Sequence, residues 1–272
     1  MIPRLFNPRI AANVATQPVL YGNGEGLRMS FSITRSLTSA PDVCRMSIWN
    51  LSPARVALMT ELVDAASFAP PSQQLSLAVG YDETTMGLFT GDIRELQTRK
   101  SGVDQVTTVV ADDGGDAFTD VPIRLTSAGL TPQNMVDVAV AAMQLAIDPS
   151  VAQILATSSP QAVSPYTAVV IGRASDLLNE VTRRIGARWW IKDKTLHMAR
   201  RGQAAQVAGM AVVIKSDMLM SEIEREGPDL VRFTSMLDPN ITPGGQVALS
   251  GGLSRSGPKY YRVEAASYQG DT

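Results

Sequence analysis

The 272-residue sequence is poor in the side chains that carry most protein chemistry, with one cysteine, Cys44, and one histidine, His197. A lone Cys closes no intramolecular disulfide, and one Cys with one His builds neither a zinc site nor a His-pair metal site within a chain. The same scarcity removes most hydrolase mechanisms, which set a His beside a nucleophile. Charge of one sign is missing too. Lys plus Arg number 24 and Asp plus Glu 26, a net charge of −2, and no tail concentrates either sign. Dedicated nucleic-acid binders are far more basic, because phosphate neutralisation supplies most of their affinity. The longest apolar stretch, Val207 to Ile214, is far short of the roughly 20 residues that cross a bilayer, so no membrane-spanning segment is expected. Met1 to Arg9 contains no apolar h-region and reads as lacking a secretory signal. The expectation is a protein made and kept in a reducing cytosol, or assembled there into something larger.

Core-forming material is plentiful. Hydrophobic residues make up 44% and charged residues 18% of the chain, which rules out a disordered or low-complexity sequence. At about 150 residues per domain the length suggests roughly two domains. The first third alternates with period 2. Met29, Phe31 and Ile33 interleave with Ser30, Ser32 and Thr34. Met46 and Ile48 interleave with Arg45 and Ser47, and Leu75, Leu77, Val79 and Tyr81 with Ser76, Ala78 and Gly80. That spacing puts the apolar set on one face of half-buried antiparallel strands. Further strands are expected at Leu88 to Leu96 and Val106 to Ala111, with turns at Tyr21 to Gly24, Ala40 to Asp42 and Ser101-Gly102. Short strands so spaced suggest a small barrel or sandwich.

Helix starts are marked by a repeated device. In Asn50-Leu51-Ser52-Pro53, Ser52 is the expected N-cap, Pro53 the first helical residue and Leu51 a staple onto Val56. Val56, Met59 and Val63 then share a face, and Ser52→Ala should cost about 1 kcal/mol. In Leu130-Thr131-Pro132, Thr131 caps, Leu130 staples to Met135, and Val136, Val140, Met143 and Ile147 form the apolar stripe. A third helix is expected from about Ser175 to Ile185, with Leu178, Val181 and Ile185 inward and Gly186 as the stop. A hairpin follows, Arg188 to Ile191 and Thr195 to Met198 around Lys192-Asp193-Lys194. Strands return at Val212 to Lys215, Leu230 to Leu237, Gln246 to Leu249 and Tyr260 to Ser267. The order implies three parts: residues 1–115, a β-barrel-like domain with one helix; 116–202, an α+β module; and 203–272, a second β-rich part completing the barrel or barrels. They read as two barrel-like modules, or as one barrel split by an insertion.

Motifs that resemble chemistry lack the context that chemistry needs. Asp112-Asp113-Gly114-Gly115-Asp116 has neither the alternate ligands nor the final Glu of an EF-hand, since position 120 is Asp. It reads as a turn at a strand end. Gly22-Asn23-Gly24-Glu25-Gly26 misses the G-x-G-x-x-G spacing. Ser256-Gly257-Pro258-Lys259 matches S-x-x-K, but its Gly and Pro forbid the helix and the partner motifs are missing. His197 on a hairpin strand reads as structural, and Glu222 with Glu224, beside Arg225 and Glu226, as a solvated segment rather than a glycosidase pair. Trp189 and Trp190 are adjacent on a strand and face opposite ways. One belongs to the core; the other lies on a second packed face or is exposed as an interface anchor. No catalytic residue, metal or cofactor is expected.

A series of segments runs along nearly the whole chain: Ser47-Ile48-Trp49-Asn50-Leu51-Ser52-Pro53; Leu77 to Gly80-Tyr81; Leu88-Phe89-Thr90-Gly91-Asp92-Ile93; Ala111-Asp112-Asp113-Gly114; Gly186 to Ile191; Leu237 to Gly244; and Tyr268 to Thr272. In this order and spacing the chain resembles the baseplate hub proteins of tailed bacteriophages. The resemblance implies a mainly β fold: two related antiparallel β-barrel domains plus a smaller α+β module. It implies a homotrimer forming a pseudo-six-fold ring that joins a six-fold tail tube to a three-fold central spike, by geometric matching rather than catalysis. The implied partners are tail tube or distal tail proteins, the spike and other baseplate proteins. Genomic DNA passes the lumen without specific binding. The implied location is the virion, assembled in the host cytoplasm. On this resemblance Asn50, Leu51, Ser52 and Pro53 end a barrel strand and start the helix. Gly80 and Tyr81 sit in a strand motif, Gly91-Asp92 forms a kink or bulge that lets the sheet curl, and Asp113-Gly114 is a turn. The alternatives of other classes are a cell-wall-degrading tail enzyme and a carbohydrate- or receptor-binding module with the exposed Trp as its stacking platform.

Overall fold

Period-2 alternation becomes one large sheet. The computed structural model describes residues 8–14, 17–22, 25–38, 40–66, 73–81, 84–113, 121–128, 131–157, 167–192, 194–200, 211–227, 230–249 and 259–271. The sheet takes β1 (Pro8–Val14), β2 (Gln17–Gly22), β3 (Glu25–Gly26), β4 (Met29–Ser36), β5 (Asp42–Trp49), β6 (Gln74–Tyr81), β7 (Thr84–Ser101) and β8 (Asp104–Asp113). Its ninth member is the last strand of the chain, Ala265–Asp271, which pairs antiparallel with β4. The order is therefore last strand, β4, β5, β8, β7, β6, β1, β2, β3. Met29, Ile33, Met46, Ile48, Leu75 and Leu77 are essentially inaccessible, and they share one core with Val14 near one end of the sheet and Tyr268 at the other. The sheet curls until its ends approach: β3 stops at Gly26, β4 starts at Met29, and Arg28 between them lies 3.4 Å from Asp271 of the last strand, so the apolar side chains of both ends turn inward together. Each such side chain contributes about 1.5–3 kcal/mol by leaving water.

Two bulges set the curl. Opposite β6, Leu77 pairs with Phe89 and Ala78 with Gly87, so Leu88 is the extra residue. Opposite β8, Ile93 pairs with Ala111 and Glu95 with Val110, so Arg94 is extra. A bulge bends a strand and increases its twist. Gly91 and Asp92 themselves are in regular register, so the bulges lie on either side of the pair that the sequence motif points to. β7 and β8 are also longer than expected, continuing as a hairpin to Gly102, whose φ is +67°.

α1 (Pro53–Ala66) begins where expected. Leu51 is buried, Met59 is inaccessible, and Val56, Leu62 and Val63 pack on the sheet core. The middle of the chain has a core of its own. It contains β9 (Pro122–Ala128), α2 (Pro132–Met143), β10 (Ala146–Ile147), α3 (Pro149–Thr157), β11 (Thr167–Arg173), α4 (Ala174–Ile185), β12 (Ala187–Lys192) and β13 (Thr195–Arg200). Thr131 caps α2 in a capping box with Asn134, and Val136, Val140 and Met143 are buried. Leu130, the expected staple, lies outside the described residues. Ile147 is not on the stripe. Gln144 turns left-handed at φ +55°, the helix stops, and Ile147 emerges half-exposed on β10, which pairs in parallel with β13. Pro149 then starts α3, a helix not expected from the sequence. Asp148 accepts at its entrance from the Ser150 amide at 2.8 Å and the Ser150 hydroxyl at 2.5 Å. α4 ends on Gly186 at φ +68°.

The final part is more broken than its alternation suggests. β14 (Val212–Ile214), β17 (Gln246–Leu249) and β18 (Lys259–Arg262) form a three-stranded sheet, and β15 (Glu224–Arg225) pairs with β16 (Val231–Arg232). The expected strand Leu230 to Leu237 reduces to Val231–Arg232. The expected strand Tyr260 to Ser267 divides at Val263-Glu264, because these residues bond in two directions. Val263 exchanges backbone hydrogen bonds with the Gly244-Gly245 turn, whereas Glu264 O accepts from Leu37 N–H at 3.0 Å. From there β19 (Ala265–Asp271) crosses into the large sheet. The protein is thus mainly β with α+β elements, and its closing strand completes the first sheet. Among the described residues no helix is long and apolar enough to cross a membrane.

Candidate functional site

The chemistry-bearing residues of this chain gather where the middle module meets the large sheet. Strand parity puts them there. Arg35 follows Met29, Phe31 and Ile33 at the same two-residue step, Asp42 precedes Cys44, Met46 and Ile48, and Asp113 follows Val109 and Ala111. All three charged residues therefore face the core, at 2%, 8% and 1% exposure. Asp42 and Asp113 are cross-strand partners. The sequence motifs point only to Asp113 of this cluster, although the alternation that locates the strands already carries the signal for all three.

Arg35 organises the cluster. Its Nη2 donates to the carbonyl of Leu88 at 2.6 Å, so the extra residue of the first bulge has its carbonyl satisfied by a buried guanidinium. Its Nε lies 3.2 Å from Asp42 Oδ2, an ion-pair distance without hydrogen-bond alignment. The guanidinium also sits 5.6 Å from the Tyr268 ring, whose hydroxyl donates to the carbonyl of Ile241. Burial pushes the Asp42 carboxyl up to about 7, and the Asp113 charge adds to this against Arg35, the Ser36 amide and Lys192. Burial likewise raises the Tyr268 hydroxyl and takes the Cys44 thiol to about 12, so Cys44 is an inert core residue. At the second bulge, Arg94 Nε donates to both Asp112 oxygens, at 3.0 and 2.9 Å. Each bulge is thus fastened by an arginine.

The hairpin of β12 and β13 closes over this region. Trp189 and Ile191 point into the module's own core, and the Trp189 indole donates to Asn179 Oδ1 at 2.9 Å. On the opposite parity Arg188, Trp190 and Lys192 meet the sheet. Arg188 reaches Glu264 at 3.1 Å, Lys192 acts on Asp42, and at the turn Lys194 reaches Asp92 at 3.5 Å. Trp190 is only 6% exposed. It clusters with Leu37 and Ala199 and covers Gly244, where a Cβ would stand 2.8 Å from the indole. Both tryptophans are therefore buried, and the exposed-anchor alternative does not hold. Trp190 packs against this chain's own sheet and its 244 turn. Its other side stacks on His197 at 5.6 Å, and His197 Nδ1 lies 3.3 Å from Asp148 Oδ2. Partial burial raises the Asp148 carboxyl, but the Ser150 hydroxyl and amide and the His197 ring together hold it below the usual carboxylate range.

The other residues marked by sequence motifs serve the same framework. Asn50 sits at φ +58° and clamps the β7–β8 hairpin. Its amide donates to Asp104 Oδ1 at 2.9 Å, its Oδ1 accepts from Gln105 N–H at 3.0 Å, and its own N–H donates to Gln105 O at 2.7 Å. Ser52 Oγ accepts from Arg55 N–H at 3.4 Å ahead of Pro53. Gly80 lies within β6, and the Tyr81 hydroxyl accepts from Leu237 N–H at 3.1 Å. Asp113 is the last residue of β8 rather than part of a turn, and Gly114 lies outside the described residues. Among the described residues no three metal-ligating side chains converge.

No protein-family model and no curated protein sequence matches this chain. Solved structures do. The 43 kDa tail protein of prophage MuSo2 from Shewanella oneidensis is similar with a TM-score of 0.55 at 9% identity, over 97% of this chain and 94% of that one. The tail protein from Neisseria meningitidis MC58 is similar with a TM-score of 0.56 at 12% identity, over 97% of this chain and 92% of that one. At such identities the likeness is one of fold, and it extends over almost the full length of all three chains: this protein has the fold of prophage tail proteins.

Proposed function

We propose that the chain is a structural hub of a bacteriophage tail baseplate, a homotrimer that joins the six-fold tail tube to the three-fold central spike. The observation that carries this reading is the end-to-end correspondence of fold with two prophage tail proteins. The seam supports it. Charged and aromatic side chains of this chain are spent on locking its own parts together, as a load-transmitting adaptor requires. In this reading residues 1–115, 116–202 and 203–272 are the functional divisions. The large sheet supplies one tube-facing unit of each copy, and the sheet of β14, β17 and β18 is the nucleus of the other, so three copies present six. Interfaces of such permanent rings bury more than roughly 2,000 Å². The near-zero net charge of −2 allows such faces to close without strong self-repulsion. Native mass measurement of the purified chain, alone and mixed with the purified spike protein of the same particle, tests the reading. A trimer in either condition is expected. A monomer in both, or clearing of peptidoglycan in a zymogram, would overturn it.

A further inference from the structure

The outward face of the large sheet carries a charge that nothing in the chain answers. On β4, β5 and β19 the core takes Phe31, Met46 and Tyr268, and the alternate residues Ser30, Ser32, Arg45, Ser47 and Gln269 face out. They line a shallow polar depression of about 430 Å³. Arg45 is exposed there and, among the described residues, makes no ion pair or hydrogen bond. At the rim Arg28 and Asp271 pair at 3.4 Å and offset each other, so Arg45 is left as the uncompensated cation. The third part of the chain joins these strands at their other end, where Leu37 N–H donates to Glu264 O at 3.0 Å. Ser30 lies roughly 20 Å from Leu37 along β4, at about 3.3 Å per residue.

That third part offers the complement. Residues 218–226 and 230–236 run side by side: Met236 N–H donates to Met218 O, Met220 N–H to Thr234 O and Glu226 N–H to Leu230 O, with β15 and β16 paired between them. Parity divides the first limb. Leu219 and Ile223 pack on the core of the small sheet, while Met220, Glu222 and Glu224 are exposed, Met220 at 73%. Glu226 pairs with Arg232 at 2.8 Å, whereas the Glu222 and Glu224 carboxylates have no partner among the described residues.

We propose that this acidic limb of one copy docks on the Arg45 depression of the next, with Glu222 and Glu224 answering the guanidinium and Met220 lying along the aliphatic stem of Arg45. The proposal rests on the ring reading above and assigns its contact. Charge selects the occupant, because unpaired carboxylates on one part of the chain meet an unpaired guanidinium on another. Unit order selects a second copy. Within a chain the large sheet meets its own third part at the Leu37 end of β4; between chains it meets the neighbour's third part at the Ser30 end. The two kinds of unit then alternate around the ring. The contact is heterologous and propagates until it closes. Setting either surface against its own copy would face Arg45 with Arg45, or Glu222 with Glu222, and repel.

Charge exchange on the full-length chain tests the contact. Arg45→Glu, and separately Glu222→Arg with Glu224→Arg, set like charges together. Each should lower the trimer seen by native mass measurement, with and without the spike, by roughly tenfold or more. The chain carrying all three changes should recover it. Lys100→Glu, an exposed reversal beside the tip of the β7–β8 hairpin, is the control and should leave the trimer unchanged. A second measurement does not depend on charge. Cys44 is buried, so a short bismaleimide should link chains carrying both Ser32→Cys and Met220→Cys into a covalent trimer and leave chains carrying either one alone unlinked. Trimers unaffected by the one-sided reversals, no recovery in the combined variant, or no link between positions 32 and 220 would overturn this contact and leave the hub reading standing. A wild-type chain that is monomeric under both conditions would overturn the two together.

Discussion

A Cβ built on Gly91 would stand 2.5 Å from the Asp112 carbonyl oxygen and 2.6 Å from the Phe89 ring. Real contacts that short do not occur, so the backbones of β7 and β8 approach here only because residue 91 has no side chain. Gly270 lies under the ring of Phe31, its cross-strand partner, and Gly244 under Trp190 in the same way. An aromatic side chain thus covers glycine where the sheet bends or meets another part. Gly91→Ala is expected to cost about 1–3 kcal/mol in a denaturant titration, because backbone and a buried ring must both give way. Gly172→Ala has open space around it and should stay within about 0.5 kcal/mol of wild type. Equal effects would mean that the sheet relaxes around residue 91. Asp42 makes the second residue-scale prediction. Its folded pKa of about 7 stands above the ordinary value of 3.8, so between those values the folded chain holds a proton that the unfolded chain releases. Stability is then highest at low pH with respect to this group, falls as pH rises from about 4 to about 7, and is flat above. Asp42→Asn cannot ionise and still offers an oxygen to Arg35. Its stability curve should lack that fall, so it should gain on wild type as the pH is raised from 5 to 8. A variant parallel to wild type across this range would contradict the assignment.

Helix entry is the element-scale device, and its instances are not equally strong. Thr131 Oγ1 accepts from the Asn134 N–H at 3.2 Å and the Thr131 N–H donates in return to Asn134 Oδ1, whereas Ser52 Oγ accepts from the Arg55 N–H only at 3.4 Å. Thr131→Ala should therefore cost about 1 kcal/mol, and Ser52→Ala less. The order of the two melting midpoints checks this. Both caps are legible in sequence because Ser-Pro and Thr-Pro act locally. Asp148-Pro149-Ser150 carries the same signal, but Ile147 fits the preceding stripe so well that the pattern suggests one helix where the chain makes two. The left-handed Gln144 that divides them has no sequence signature as strong as glycine. Strand faces are legible for the same local reason, and Arg35, Asp42 and Asp113 are legible from them by parity alone. What local pattern does not carry is pairing. Nothing in Ala265 to Asp271 says that its neighbour is β4, more than 200 residues earlier. Nor does Trp190 by itself reveal that Gly244 and Leu37 will cover it. The bulges miss their sequence mark for a related reason: Gly91 marks where strands crowd, and the extra residues, Leu88 and Arg94, lie three positions to either side of it.

At the scale of the whole molecule, among the described residues the β12–β13 hairpin holds the middle module to the sheet, and its contacts differ greatly in weight. The Arg188–Glu264 pair has side chains 45% and 40% exposed, and such pairs contribute at most about 1 kcal/mol. Lys194 is half-exposed where it meets Asp92 and adds little more. Trp190 is buried on both sides, between His197 and the Leu37–Gly244 surface, and truncating such a residue costs about 3–5 kcal/mol. The junction therefore depends mainly on one indole, while the module's own core is built around Trp189, Leu178 and Val136 and does not include it. Trp190→Ala should uncouple the parts without unfolding the module. Calorimetry of the wild-type chain is expected to give one cooperative transition. The variant should give two, the lower from the loosened sheet and turn, while helical circular dichroism from α2 and α4 persists to the upper. Trp189→Ala should instead lower the module's own transition and remove that helical signal early. A single unshifted transition in Trp190→Ala would show that the ion pairs and the buried Asp42 cluster hold the seam unaided. The two parts would then be one folding unit whose rigidity does not pass through Trp190.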